Sequence, residues 1–309
     1  MTSGIGFVGA GLMGHGAAKH ILAKGHPLTV IAHRNRAPID DLIGRGAKEA
    51  ATVAELTAAA DVLFLCLPDA PTVDRVLHGD DGVLAGAHDG LIVVDMTTSQ
   101  PEATVRFGAE LAARGARLVD APMTRSPLEA EEGRLNVLVG GDPETVGRVR
   151  PVLATFTENV WHVGPLGSGH RFKLVHNFMS IANMAVVLET TVAAARLGID
   201  LERFFEIGSA GGANSVMFQK LMPGALRGDP SGLRAHASTA LKDLRYYNAM
   251  ADDAGLHSMM SKAAQQVFQL AAALGHGDTM IPLLFEPLAE LNRVGRDAKG
   301  AAGDRQRSA

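Results

Sequence analysis

The chain predicts an α/β domain built on a parallel sheet, followed by an all-α domain, and three features carry that expectation. In the first half, short apolar runs alternate with amphipathic stretches of helical length. In the second half such runs stop, and between the halves GPLGSG (164–169) opens one long helical pattern. In order, IGFVG (5–9), LTVIA (28–32), VLFLCL (62–67), LIVVD (91–95) and ARLVDAP (116–122) read as strands. Near-continuous apolar composition is what a strand needs when helices cover both faces of its sheet, so these runs imply βαβ units. LMGHGAAKHILAKG (12–25) and PEATVRFGAELAARG (101–115) read as helices, each ending in the Gly that often terminates one. RLNVLVGG (134–141) adds a strand, PETVGRVRPVLATF (143–156) a helix, and NVWHVG (159–164) a last extended run. From about 166 to 197 a single helix is expected, then further helices rich in Ala, Leu and Met. The domains are therefore placed at 1–164 and 165–295, joined by that long helix, with a polar, small-residue tail at 296–309 expected to be disordered.

Composition narrows the function classes. The 309 residues suffice for two domains, and 47% hydrophobic content supplies their cores. A formal net charge of −4 leaves no basic surplus for nucleic acid. The single cysteine, Cys66, rules out a disulfide framework and reads as a buried strand thiol. The N-terminal MTSGIGFVGAGLMG enters a fold motif with no basic or apolar leader region, and no uninterrupted apolar run approaches the ~18 residues of a membrane span. A soluble, cytoplasmic protein with no membrane partner is expected. The histidines show no metal-ligand spacing, so no metal is expected.

The first candidate site is Gly9-x-Gly11-x-x-Gly14, directly after a predicted strand and opening a predicted helix, with Leu12 and Met13 inside the turn. The first glycine allows a tight turn, the second lets backbone approach a pyrophosphate, and the third lets helix and strand pack closely. The helix N-terminus then offers free N–H groups to phosphate. At the end of the second strand an acidic residue would bind the ribose 2′-hydroxyl of NAD. Here Ala32 stands near that position and His33, Arg34, Asn35 and Arg36 follow. Guanidinium groups in place of a carboxylate favour the 2′-phosphate of NADP, with NAD possible; the alternative is a solvated basic turn.

Four stretches read together resemble the β-hydroxyacid dehydrogenase family, which includes 3-hydroxyisobutyrate dehydrogenase and tartronate semialdehyde reductase. They are GFVGAGLMG (6–14), DMTTSQP (95–101), DAPMTRSPLEAEEGRL (120–135) and GSGHRFKLVHN (167–177), with LKDL (241–244) as a weaker fifth. The resemblance spans nearly the whole chain in the family's order. It implies a Rossmann-like domain, an interdomain helix and an all-α domain that often mediates dimerisation, hence a homodimer or homotetramer. It also implies that Lys173 is the catalytic lysine and Asn177 the substrate-orienting asparagine, with Leu67 and Pro68 lining the cofactor, Thr97 and Thr98 contacting nicotinamide and substrate, and Lys242 near the cofactor.

The residues bear these roles on their own chemistry. Lys173 and Asn177 are four apart on a helix, so one ligand can meet both, and Ser180 is a turn further on. A lysine ammonium can protonate a carbonyl oxygen as hydride reaches the carbon, and its neutral form can accept that proton in the oxidative direction. His176 departs from the family's two successive asparagines, and either tunes the site or packs. The substrate loop departs further: Thr124 replaces the usual Ser, and Arg125-Ser126 replaces two glycines. The result resembles the loop of sulfolactaldehyde reductases, which reduce a short aldehyde carrying a sulfonate. A guanidinium there can engage two oxygens of an anion, or can pair with Glu129, Glu131 or Glu132 and touch no ligand. The expectation is an NAD(P)-dependent dehydrogenase or reductase for a small anionic aldehyde or hydroxy acid. An NADPH-dependent imine reductase shares the architecture but typically lacks lysine at the Lys173 position. A non-catalytic nucleotide-binding protein is the remaining alternative.

Overall fold

The computed structural model describes residues 4–294, so the expected disordered tail at 296–309 lies outside the described residues. The chain divides into two compact units between Leu174 and Val175. That division falls inside the long helix, ten residues past the 164/165 boundary that the sequence suggests.

The first unit runs β1 (Ile5–Val8), α1 (Gly14–Ala23), β2 (Leu28–Val30), α2 (Ala37–Gly44), β3 (Lys48–Glu49), α3 (Val53–Ala58), β4 (Val62–Leu65), α4 (Ala70–His78), α5 (Val83–Gly86), β5 (Ile92–Asp95), α6 (Pro101–Ala112) and β6 (Arg117–Asp120). It continues with β7 (Met123–Thr124), α7 (Pro127–Glu131), β8 (Leu135–Gly140), α8 (Pro143–Leu153) and β9 (Thr157–Gly164), then enters α9 (Ser168–Arg196). One sheet has the order β3-β2-β1-β4-β5-β6-β8-β7, with β9 paired to β8. The strands from β3 through β6 are parallel. The expected parallel sheet is extended at its far side by an antiparallel part, where β8 runs antiparallel to β6 and β7. The connection from β6 to β8 carries the two-residue β7 and the five-residue α7, and β7 itself pairs antiparallel with β8.

Both faces of the sheet are buried, which is why its strands read as unbroken apolar runs. Successive residues point to opposite faces. Phe7, Phe64, Ile92 and Val94 pack under α1, α2 and α8, whereas Val8, Leu63, Leu65 and Val93 pack under α3, α4 and α6. Phe7 and Phe64 stack across β1 and β4 with ring centroids 5.8 Å apart. Cys66 lies just past β4 and is partly buried rather than a strand residue; burial and the nearby Asp95 push its thiol up to about 12.

The second unit holds the rest of α9, then α10 (Leu201–Ala210), α11 (Val216–Arg227), α12 (Ala237–Asp253), α13 (Met259–Ala273), a 3-10 turn (Ile281–Leu283) and α14 (Phe285–Leu291). Its core gathers Met184, Leu188 and Val192 of α9 with Phe218, Leu221 and Met222 of α11, Leu244 of α12, Phe268 of α13 and Phe285 of α14. By mean hydropathy, α9 contains an 18-residue window long and apolar enough for a membrane span, although its apolar residues are interrupted by polar ones. Half of that window is buried inside the protein, as expected of a core helix.

Candidate functional site

The glycine turn after β1 is shaped by its contacts. Gly9 has φ +101°, and a Cβ there would lie 2.2 Å from the Cys66 carbonyl oxygen, so no other residue fits. A Cβ on Gly14 would lie 2.1 Å from the Gly9 carbonyl oxygen and 2.9 Å from the Phe7 ring. At Gly11 a Cβ would meet nothing within 4 Å, which leaves the outside of the turn open. Leu12 is exposed and Met13 half-buried. The N-terminus of α1 has neither a side-chain cap nor an acidic residue in its first turn, so its N–H groups have no local anion to satisfy them. One residue in, His15 lies 2.9 Å from both Asp41 and Glu131, fastening α1 to α2 and α7. Hydrogen bonds from Arg45 and His15 hold the Asp41 carboxyl down to about 2.

The basic segment after β2 is exposed throughout His33, Arg34, Asn35 and Arg36, but its two arginines differ. Arg36 forks onto Asp40 (3.0 and 3.2 Å) and Glu49 (2.9 and 3.0 Å), and its pKa is raised by these carboxylates. No carboxylate of the described residues lies within ion-pair distance of Arg34. Asn35 accepts a hydrogen bond from the Ala37 backbone at the entry to α2.

The loops after β4 and β5 are tied to each other and to α9. The Leu67 N–H donates to the Thr97 hydroxyl (3.1 Å), and the Thr97 N–H to Asp95 (2.9 Å). Pro68 is exposed and Thr98 half-buried. Burial pushes the Asp95 carboxyl up against the opposing pull of His170 and Thr97. Asp120, fully buried at the end of β6, accepts from the Gly167 and His170 backbone N–H groups, both at 2.7 Å. This carboxylate caps the start of α9 from another strand, and it explains why the first turns of α9 belong to the first unit. Lys173, half-buried one turn on, therefore sits in the unit that carries the glycine turn.

The substrate loop is not arranged as its neighbours in sequence suggest. Thr124 lies on β7 opposite Asn136. Arg125 takes φ +81°, a conformation that favours glycine, the residue the family has at this point. Its guanidinium pairs not with Glu129, Glu131 or Glu132 but with Glu158 on β9, at 2.6 and 2.9 Å, and also donates to the Arg134 carbonyl at 2.5 Å. The reason is direction: the left-handed backbone at Arg125 precedes α7, and Ser126 claims Glu129 for a capping box. The Ser126 hydroxyl accepts from the Leu128 N–H, and its own N–H donates to Glu129 at 2.9 Å. Ser126 is thus employed as a helix cap.

In the second unit, the Asn177 amide donates to Asp243 (2.6 Å), and its oxygen lies 3.1 Å from the His176 ring. His176 therefore touches the asparagine instead of only packing. Lys242 lies 3.0 Å from the other Asp243 oxygen, as an ion pair without hydrogen-bond alignment. Ser180 is half-buried on the next turn of α9. Asp120, His170 and Asp243 lie within DAPMTRSPLEAEEGRL, GSGHRFKLVHN and LKDL, but those stretches do not say which groups satisfy them. For Asp120 there is a further signal: the apolar strands LIVVD and ARLVD each end in a carboxylate that has to be satisfied.

The chain is similar to known proteins along most of its length. The family described as NAD binding domain of 6-phosphogluconate dehydrogenase matches residues 4–164, and NAD-binding of NADP-dependent 3-hydroxyisobutyrate dehydrogenase matches 167–283. The chain is 31% identical to 2-(hydroxymethyl)glutarate dehydrogenase of Eubacterium barkeri, over 88% of this chain and 90% of that one. It is 30% identical to 3-sulfolactaldehyde reductase of Escherichia coli (strain K12), over 88% and 91%. The solved structure of 3-hydroxyisobutyrate dehydrogenase from Salmonella typhimurium superposes with a TM-score of 0.83 at 26% identity, covering 92% of this chain and 99% of that one. The fold, the glycine turn and these matches agree, and the chain belongs to the β-hydroxyacid dehydrogenase family of NAD(P)-dependent oxidoreductases acting on CH–OH groups.

Proposed function

We propose that the protein interconverts a short aldehyde bearing a carboxylate or sulfonate with the matching hydroxy acid or hydroxysulfonate, using NADP in preference to NAD. The observation that carries this reading is the grip of Asp120 on the start of α9, which keeps Lys173 in the unit holding the glycine turn. The residues fit a dinucleotide: the turn is open outside Gly11, the α1 N-terminus is uncapped, and Arg34 offers a guanidinium for a 2′-phosphate. When bound, that cofactor supplies or takes the hydride. Lys173 gives a proton to the carbonyl oxygen in reduction and removes it in oxidation. Asn177, its amide fixed by Asp243, orients the substrate oxygen. Thr124 and Ser180 offer hydroxyls to the substrate, and Leu67, Pro68, Thr98 and Lys242 flank the cofactor.

Arg125 recognises the anionic group by exchanging Glu158 for it. The pair is solvent-exposed, and exposed pairs contribute little stability, so a substrate anion competes for the same fork. Relatives named for a glutarate and for a sulfolactaldehyde support the class of substrate. The test follows NADPH and NADH at 340 nm with succinic, methylmalonic and tartronate semialdehydes, glyoxylate, sulfolactaldehyde and a cyclic imine. Turnover of an anionic aldehyde is expected, with Lys173→Ala losing roughly 10²–10⁴ in kcat while still binding NADPH. Turnover of the imine alone, or a Lys173→Ala variant keeping a tenth of wild-type turnover, overturns the reading.

A further inference from the structure

We propose that His170 is a positioning residue that sets the place of Lys173 against the loops after β4 and β5; the inference rests on Lys173 being the proton donor proposed above. His170 is fully buried, and both ring nitrogens are engaged. Nε2 lies 2.7 Å from the Thr97 carbonyl oxygen and Nδ1 2.7 Å from the Thr104 hydroxyl. A carbonyl only accepts, so Nε2 carries the proton and donates to Thr97. Thr97 in turn receives the Leu67 N–H on its hydroxyl and gives its own N–H to Asp95. A single imidazole thereby joins four segments: the loops after β4 and β5, α6 through Thr104, and the first turn of α9.

The backbone of the same residue is held as firmly as its ring, because the His170 N–H donates to the buried Asp120 carboxylate at 2.7 Å. A Cβ on the neighbouring Gly169 would lie 2.8 Å from that carboxylate, so the helix start is pressed against it with no room to slip. Lys173 is three residues beyond His170, close to the same helical face. Rotation or translation of this first turn therefore carries the lysine with it. Apolar packing alone does not fix such a rotation, whereas two hydrogen bonds in opposite directions from one rigid ring do. Residue 170 adds no group that meets substrate. Its contribution is the register of α9 relative to the Thr97 turn, and a misplacement of about 1 Å at a reacting group can cost 10²-fold in rate.

The test compares His170→Leu, which removes both ring bonds, with His170→Gln, whose side-chain amide can still donate to the Thr97 carbonyl. NADPH oxidation is followed with the aldehyde that the wild type turns over, and NADPH binding by fluorescence titration. For His170→Leu, kcat is expected to fall about 10–100-fold with NADPH affinity within about threefold of wild type, and His170→Gln to recover most of the loss. Thr104→Val, which removes the Nδ1 partner together with the 3.1 Å bond to the Gln100 carbonyl within α6, should fall between them. A crystal structure of His170→Leu, or of Thr104→Val if the former does not fold, reads the shift of Lys173 relative to Thr97 directly and needs no substrate. An unshifted lysine overturns the proposal, and so does unchanged kcat in a folded His170→Leu protein, or a His170→Gln variant no better than Leu. Failure of the Lys173 reading alone would look different: Lys173→Ala would keep its turnover whatever residue 170 does.

Discussion

The buried anchors of α9 and the charged loops outside the sheet use the same kinds of side chain to opposite effect. At Asp120 a fully buried carboxylate meets two backbone N–H groups at 2.7 Å, and at His170 both ring nitrogens are satisfied. At Arg36 and Arg125 guanidinium groups fork onto carboxylates at similar distances, but in solvent. Distance alone does not distinguish the two cases; hydration does. A buried partner that is removed leaves its mate without water, whereas an exposed one is replaced by water at little cost. The interior anchors therefore fix geometry, and the surface pairs remain free to be exchanged for a ligand.

The sharpest way to break this contrast is at Asp120. Asp120→Ala leaves the Gly167 and His170 N–H groups buried without an acceptor, which should cost about 3–5 kcal/mol. A fall in Tm on the order of 10 °C is expected by calorimetry. A shift under about 2 °C would mean that water enters the site and that the interior is not dry there.

The next test moves to the second unit. Asp243→Leu frees the Asn177 amide while removing a carboxylate that is itself buried and paired. Substrate KM should rise about tenfold and NADPH affinity change less. Equal losses for both would mean that Asp243 acts chiefly through Lys242 instead.

How much of this was legible beforehand depends on how local the determinant is. The strands, the glycine turn and α9 are written in periodicity and in single residue types, so their positions follow from the sequence within a few residues. β3 and β7, two residues each at the edges of the sheet, carry no period to detect. The antiparallel direction of β8 cannot be read from its apolar content, because parallel and antiparallel strands buried on both faces carry the same kind of run. Arg125 shows the limit most clearly: its partner is not a nearby glutamate but Glu158, 33 positions away and brought close by the β7–β8 and β8–β9 pairings together. Asp120 and His170 can be seen as polar residues in apolar surroundings, but what satisfies them belongs to other strands and helices.

Among the exposed groups, Arg34 and Arg36 separate the cofactor reading from a solvated basic turn. Arg34→Ala should raise the KM for NADPH about tenfold and leave NADH nearly unchanged. Arg36→Ala, with its fork already occupied by Asp40 and Glu49, should move either cofactor by no more than about threefold. The reverse ranking would show that the 2′-phosphate displaces both carboxylates from Arg36.

The smallest effect on stability, and the most informative about substrate, is expected at Arg125. Arg125→Gly removes a side chain from a φ of +81°, where glycine is at ease, and with it an exposed ion pair. These two changes oppose each other, so Tm should stay within about 2 °C. KM for an anionic aldehyde should nevertheless rise roughly tenfold while that for a neutral aldehyde does not, because only the anion uses the guanidinium that Glu158 holds in the free protein. Glu158→Gln sharpens the point from the other side: if the anion competes with Glu158, removing the competitor should lower the same KM. If both substitutions leave KM unchanged, Arg125 and Glu158 form a structural pair, and the substrate's anion is held by Thr124 and the loop backbone alone.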